Sequence, residues 1–186
     1  GRDRPGLRNQ HLTVLRALAR VSGAKIKGGS LGSTEVTFAP QRVRRGSYSF
    51  DVGTAGSVTL VAQALLPVML WFGGFEVEIK GGTHVDGAPT YEYLAQVLVE
   101  NLRRLGADVR VSLLRPGFYP KGGGRIMMRV GDAGMPPVDM IEPGPLRSRR
   151  AIIVSSSLPE HVVEREARYL RKNWDPTIEV DISTYD

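Results

Sequence analysis

Twice in this 186-residue chain a helix-spaced run of apolar residues stops at Gly-Ala and passes at once into a strand. The first instance reads LARVSGAKIKG from Leu18 and the second LRRLGADVRVS from Leu102, and each is followed by a glycine-bearing connection and another strand. Glycine ends a helix by taking the left-handed conformation at its C-terminal cap. A helix and a strand joined so closely must bury their apolar faces in one core. The pattern therefore predicts helices covering sheets, in a repeated helix-plus-strands unit. A further helix with flanking strands lies between the two instances, which predicts three copies and an α+β (α/β) architecture, and not a Rossmann fold.

The elements follow from periodicity. Helices are predicted over 8–22, 57–71 and 90–105, and strands over 24–27, 33–38, 48–52, 75–80, 108–114 and 125–130. From 131 to 150 the composition changes, with Pro136, Pro137, Pro143 and Pro145 marking a linker. Beyond it a strand at 151–154, a charged helix at 160–172 and a strand at 177–182 form a β-α-β segment. The expected division is a main domain over 1–148 and the beginning of a smaller one over 149–186.

Charge narrows the partners. Residues 1–50 carry ten Lys/Arg against two acids, whereas residues 51–186 carry fifteen against seventeen. A concentrated basic region meets nucleic acid or phosphorylated ligands through Coulomb attraction and counterion release; the alternative is a solvated surface. The absence of cysteine excludes disulfides, thiolate zinc sites and a cysteine nucleophile. The richest apolar run, Val58 to Phe72, contains Gln63 and Pro67 and is too short to span a bilayer. Gly1-Arg2-Asp3 begins without a Met or a signal core, so a cut end and a cytoplasmic protein are expected.

Several stretches carry candidate chemistry. Arg2, Arg4 and Arg8 surround Pro5-Gly6 at the approach to the first helix, where arginine forks and free helix N–H groups favour phosphate; a solvated basic helix start is the plainer reading. Gly53-Thr54-Ala55-Gly56-Ser57 precedes the second helix without a Walker or GxGxxG spacing, and reads first as a tight strand-to-helix turn. Gln63 is an amide among Leu60, Leu65 and Leu66, either satisfied by neighbouring backbone or reserved for a ligand. His84 and Asp86 begin no metal cluster and are expected in a hydrated loop. Pro89 and Tyr93, four apart, suit either one side of a slot for a flat ring or core packing.

The segments RPGLRNQHL, FDVGTAGS, KGGTHVDGAPTYEYL and PGFYPKGGG, in that order, resemble the RNA 3'-terminal phosphate cyclase family over nearly the whole chain. The resemblance implies a main domain of repeated units like the C-terminal domain of translation initiation factor three, interrupted by a smaller insert that begins near residue 149. It implies ATP-dependent conversion of an RNA 3'-phosphate into a 2',3'-cyclic phosphate through a histidine-AMP adduct and an RNA-adenylate, with Mg2+ or Mn2+ as the metal. It assigns Arg2, Gln10 and His11 to supporting positions beside the phosphates, Gln63 to the nucleotide, and Pro89 and Tyr93 to the adenine. ATP and an RNA 3' end are the implied partners, with no membrane.

The family's glycine-rich acidic motif and its nucleophilic histidine segment have no counterpart in this sequence. None of His11, His84 or His161 is therefore assigned as nucleophile, and no metal ligand is assigned. The expectation is that these residues alone are inactive and that a longer parent is active. A non-catalytic relative in ribosome assembly shares fold and basic surface, but Gln10, His11 and Gln63 argue against it. An enolpyruvate transferase takes small anions and not RNA.

Overall fold

The first helix, α1 (Asn9–Ser22), buries Leu12, Ala17 and Val21 on one side and leaves Arg16 and Arg20 in solvent. It stops where the sequence predicts, at Gly23, whose φ of 61° is the left-handed cap that glycine adopts without strain. The architecture comes from a computed structural model that describes residues 5–134, 136–139, 141–142 and 144–185. Arg2, Arg4 and Pro143 lie outside the described residues.

β1 (Lys25–Lys27) and β2 (Thr37–Ala39) follow α1 as an antiparallel pair. The strand expected from residue 33 starts later, because Ser33 Oγ donates to the Glu35 carbonyl and holds a turn there. Next come β3 (Gly46–Asp51), α2 (Val58–Phe72), β4 (Phe75–Gly81), a π-helical stretch (Tyr93–Val99), α3 (Glu100–Arg104), β5 (Val109–Arg115) and β6 (Gly124–Val130). Four of these strands form one sheet in the order β3-β4-β6-β5. β3 and β4 are parallel, joined by the α2 crossover, while β6 runs antiparallel to both β4 and β5. α1-β1-β2 and α3-β5-β6 are thus both a helix followed by a hairpin, whereas α2 sits in a parallel crossover. The repeat is real, but the middle copy is wired differently.

Register explains the core. Phe75, Val77 and Ile79 of β4 face Val130, Met128 and Ile126 of β6, and all six are buried. The alternate residues point to solvent, where Arg129 pairs with Glu76 at 2.5 Å and Arg125 with Glu78 at 3.4 Å. α2 lies on the buried face and is apolar on most of its sides, with Val58, Val61, Leu65 and Met69 fully buried. Full burial of such a side chain is worth about 1.5–3 kcal/mol. The third helix departs from the expected α geometry: Leu94 and Val99, the two buried residues of the π-helical stretch, are five apart, and i→i+5 winding brings them to one face.

The chain forms two compact units divided between Pro137 and Val138, inside the proline- and glycine-rich stretch. The second unit contains β7 (Arg150–Ser156), α4 (Glu160–Asn173) and β8 (Glu179–Tyr185), with the two strands parallel. Its core is Ile153, Val163 and Ala167 with Leu170 and Val180 packed on them. β8 begins two residues later than expected, because the Asp175 carboxylate accepts from the Thr177 N–H at 2.8 Å and its hydroxyl at 2.7 Å and holds a turn. Among the described residues no helix is long and apolar enough to cross a membrane.

Candidate functional site

Gln10, in the first turn of α1, joins parts of the chain far apart in sequence. Its Oε1 accepts from the Ser57 N–H at 2.8 Å, 47 residues away, and so caps the start of α2. Beside it His11 takes up the helix's own needs: its Nδ1 accepts from the Arg8 N–H at 3.1 Å, which places the ring proton of a neutral imidazole on Nε2. The Arg8 side chain is exposed and has no ion-pair partner among the described residues.

The turn between β3 and α2 is held at several points. Asp51 accepts from the Gly53 N–H at 2.7 Å, and Thr54 Oγ1 from the Gly56 N–H at 3.2 Å. The Val58 N–H goes to the Gly82 carbonyl at 2.9 Å and the Leu60 N–H to Ser57 Oγ at 3.2 Å. The tight turn is therefore what forms here, with these N–H groups satisfied by the protein. Lys80, hydrogen-bonded to Asp51 at 2.8 Å, holds that carboxyl below the ordinary aspartate range, helped by the Gly53 N–H.

Two glycine-rich segments close on this turn. A Cβ at Gly82 would stand 2.3 Å from the Ala55 carbonyl oxygen, and one at Gly122 would stand 2.8 Å from the Ala55 Cα. Only the absence of side chains lets these backbones approach so closely. All four resembling segments thus meet around Ala55, Gly56 and Ser57.

Two clefts open at this meeting point. One, of about 530 Å³, is lined by Arg8, Gln10, His11, Gly32, Thr54 and Gly56 among others. The other, of about 760 Å³, has Gln10, Gly56, Ser57 and Leu60 on one side and Asp86, Ala88, Tyr119 and Pro120 among the rest of its lining. Gln10, Thr54 and Gly56 belong to both.

A hydrogen-bond relay leads from the turn to Pro89. Thr59 Oγ1 donates to the Pro89 carbonyl at 2.7 Å, so the hydroxyl proton of Ser57, 2.7 Å away, is the one shared between them. Gln63 is one helical turn beyond Thr59 on the same face of α2. Its Nε2 is buried and has no hydrogen-bond partner among the described residues. Pro67, four residues on, offers no N–H to the Gln63 carbonyl. Gln63 lines the polar end of an apolar groove of about 730 Å³ whose walls include Leu66, Leu70, Trp71, Leu98 and Leu102. Tyr93 is 51% exposed, with its N–H on Thr90 Oγ1 at 3.3 Å. The structure thus groups Gln10 and His11 at one cleft, and joins Pro89 to the α2 face that bears Gln63.

His84 is not in a hydrated loop as expected. Its side chain is 8% exposed, with Nε2 at 2.9 Å from Glu92 and Nδ1 at 2.8 Å from Thr83 Oγ1. The ring stacks on Phe118 with centroids 4.8 Å apart. Burial is the largest influence on the Glu92 carboxyl and pushes it up, but the hydrogen bond and charge of His84, with hydrogen bonds from the Glu92 N–H and from Thr90, together outweigh it and leave the group below the ordinary glutamate range. Thr83 closes the knot: its Oγ1 accepts from the Gly117 N–H at 2.9 Å, and its own N–H goes to the Gly117 carbonyl at 2.8 Å. The sequence signal for this cluster was only that His84 and Glu92 flank Pro89. His161 is exposed on α4 of the second unit.

The family model described as RNA 3'-terminal phosphate cyclase matches residues 1–181. A relative named RNA 3'-terminal phosphate cyclase in Staphylothermus marinus is 46% identical over 170 residues, covering 90% of this chain and 48% of that protein. Proteins of the same name in Ectopseudomonas mendocina and Ignicoccus hospitalis are 44% and 38% identical, covering 89% and 99% of this chain and 49% and 54% of theirs. The chain thus spans about half the length of the curated relatives it matches. Matched over residues 1–181 and carrying the four convergent segments, the chain belongs to the RNA 3'-terminal phosphate cyclase family.

Proposed function

We propose that, at the full length of these relatives, the polypeptide is a cytoplasmic RNA-processing ligase that converts an RNA 3'-terminal phosphate into a 2',3'-cyclic phosphodiester with ATP, through histidine-AMP and RNA-adenylate intermediates. The observation that supports this most is the convergence at Gln10, whose carbonyl oxygen ties the arginine-bearing approach to α1 onto the Ser57 turn between two clefts. A family resemblance scattered over a surface would carry less weight.

ATP fits the residues at hand. The buried, unpartnered Nε2 of Gln63 suits an acceptor on a base or ribose, and Pro89 and Tyr93 suit the flat face of adenine. The nucleotide supplies the activated phosphorus that makes a phosphate oxygen displaceable. Arg2, Arg8 and Gln10 neutralise or orient phosphate oxygens at the α1 approach. His11 serves by capping α1, and none of the three histidines is taken as the nucleophile. No ligand for Mg2+ or Mn2+ is assigned; among the described residues no group of three or more His, Cys, Asp or Glu is gathered.

The test is adenylation. Incubation with α-labelled ATP and magnesium is expected to leave an acid-labile protein-AMP adduct on a full-length polypeptide and none on these residues alone. The labelled polypeptide is expected to cyclise a 3'-phosphorylated RNA. An adduct on the short chain would overturn the assignment of the nucleophile. No adduct on either would overturn the reading.

A further inference from the structure

Tyr119 is 79% exposed, yet its neighbours in the chain are closely packed. It stands at the tip of the β5–β6 connection, on the rim of the cleft that Gln10, Ser57 and Asp86 line. The connection is fixed from three directions. Gly122 packs against the Ala55 backbone with no space for a side chain. The backbones at Gly117 and Gly124 press on each other, a Cβ on Gly117 falling 2.2 Å from the Gly124 nitrogen. Phe118, the residue before the tyrosine, stacks on His84, which Glu92 and Thr83 hold by hydrogen bonds.

An exposed aromatic ring on a loose loop needs no explanation. A ring presented to solvent from a braced finger beside a polar cleft does, because folding gains nothing from the presentation while the bracing fixes the ring's position. Lys121, two residues on, is exposed and has no ion-pair partner among the described residues. A π-face with a nearby cation is the combination that single-stranded nucleic acid uses, one for a base and the other for a phosphate.

We propose that Tyr119 is the stacking platform for the terminal base of a single-stranded RNA whose 3' end enters the cleft, with Lys121 against the adjoining phosphate. This rests on the cyclase reading for the identity of the ligand. It goes beyond that reading in assigning a base-recognising residue to a finger that neither the nucleotide site nor the phosphate approach uses. Stacking tolerates every base, so the platform fixes the end of the RNA without selecting its sequence.

The test measures binding of a polypeptide of the relatives' full length to a short fluorescent RNA with a 3'-phosphate, and to the same RNA with an abasic last nucleotide, at fixed salt. Tyr119→Ala is expected to weaken binding of the first RNA about 5- to 100-fold, and Tyr119→Phe to restore it. The abasic end is expected to cost the wild type the same factor and to erase the difference between wild type and Tyr119→Ala. ATP affinity and melting temperature stay unchanged. Equal binding by wild type and Tyr119→Ala overturns the proposal while leaving the cyclase reading in place, as does a loss that persists with the abasic end. A fall in ATP affinity with RNA binding intact assigns the ring to the nucleotide and overturns it too. A wild type that binds no RNA overturns the cyclase reading and this proposal with it.

Discussion

The first turn of α2 and its middle treat polar groups in opposite ways. At the start, Ser57, Thr59 and the N–H groups of Gly56, Ser57, Val58 and Leu60 all find partners, from Gln10 on one side to Pro89 on the other. One turn later the Nε2 of Gln63 is buried with none among the described residues. An unsatisfied buried donor costs roughly 1–3 kcal/mol, a large part of a domain's net stability. On the proposed reading the helix start is scaffold and Gln63 is the contact reserved for the nucleotide.

Breaking the scaffold side should have the largest effect. Gly82→Ala drives a methyl to 2.3 Å from the Ala55 carbonyl oxygen and 2.4 Å from Val85 Cγ1, both within closely packed segments. Destabilisation of about 3 kcal/mol is expected in urea titration, since overpacking at backbone cannot be relieved by a rotamer change. A variant as stable as the parent would show that the segments are not held together as described. Gln10→Ala should be milder, about 1–2 kcal/mol, from the lost cap and the orphaned Ser57 N–H. Gln10→Glu keeps the acceptor and is expected to recover most of that loss.

Much of this was legible in the sequence, and the illegible part has a common cause. Gly23, Gly73 and Gly106 end helices or turn the chain after them because of what glycine permits locally, and the alternation in 75–80 is visible without a partner. The order β3-β4-β6-β5 was not visible, because strand pairing depends on partners up to 55 residues apart, as Phe75 and Val130 are. The same holds at the site. Gln63 and Pro89 drew attention as residue types in context and Gln10 through the family resemblance, but the bond from Ser57 to Gln10 is a long-range fact. His84 was misjudged for the same reason: its neighbours in sequence are turn residues, while the groups that bury it, Glu92 and Phe118, come from a helix and from the β5–β6 connection.

The reserved side of the comparison gives a prediction of opposite sign. Gln63→Leu removes the unpaired donor from a groove walled by leucines, so the stability should stay within about 1 kcal/mol of the parent or rise. ATP affinity should fall at the same time, in a polypeptide long enough to bind it. Stability and binding moving apart is the signature sought, by urea titration and by calorimetry on the same preparations. If Gln63→Leu destabilises as much as Gln10→Ala does, the amide is structural and the contrast along α2 fails.

The second unit supplies a titratable version of a fully satisfied group, and the smallest expected effect. Asp175 is buried and accepts from the Thr177 hydroxyl, from the Thr177 N–H and from Arg149, and these hold its carboxyl at about 2. In the unfolded chain an aspartate titrates near 3.9, so the folded state binds that proton less readily. Its contribution is therefore present in full above about pH 4 and is lost as pH falls from there through 2, where folded and unfolded states both become protonated. Fluorescence of Trp174, adjacent in sequence, should report an acid transition of this unit in that window. In Asp175→Asn the unit should be less stable at neutral pH, and its stability should depend less on pH between 4 and 2. If the acid limb has the same slope in both proteins, the turn is held by Thr177 and packing alone. The rule that satisfied polar groups mark scaffold would then need another witness in this unit.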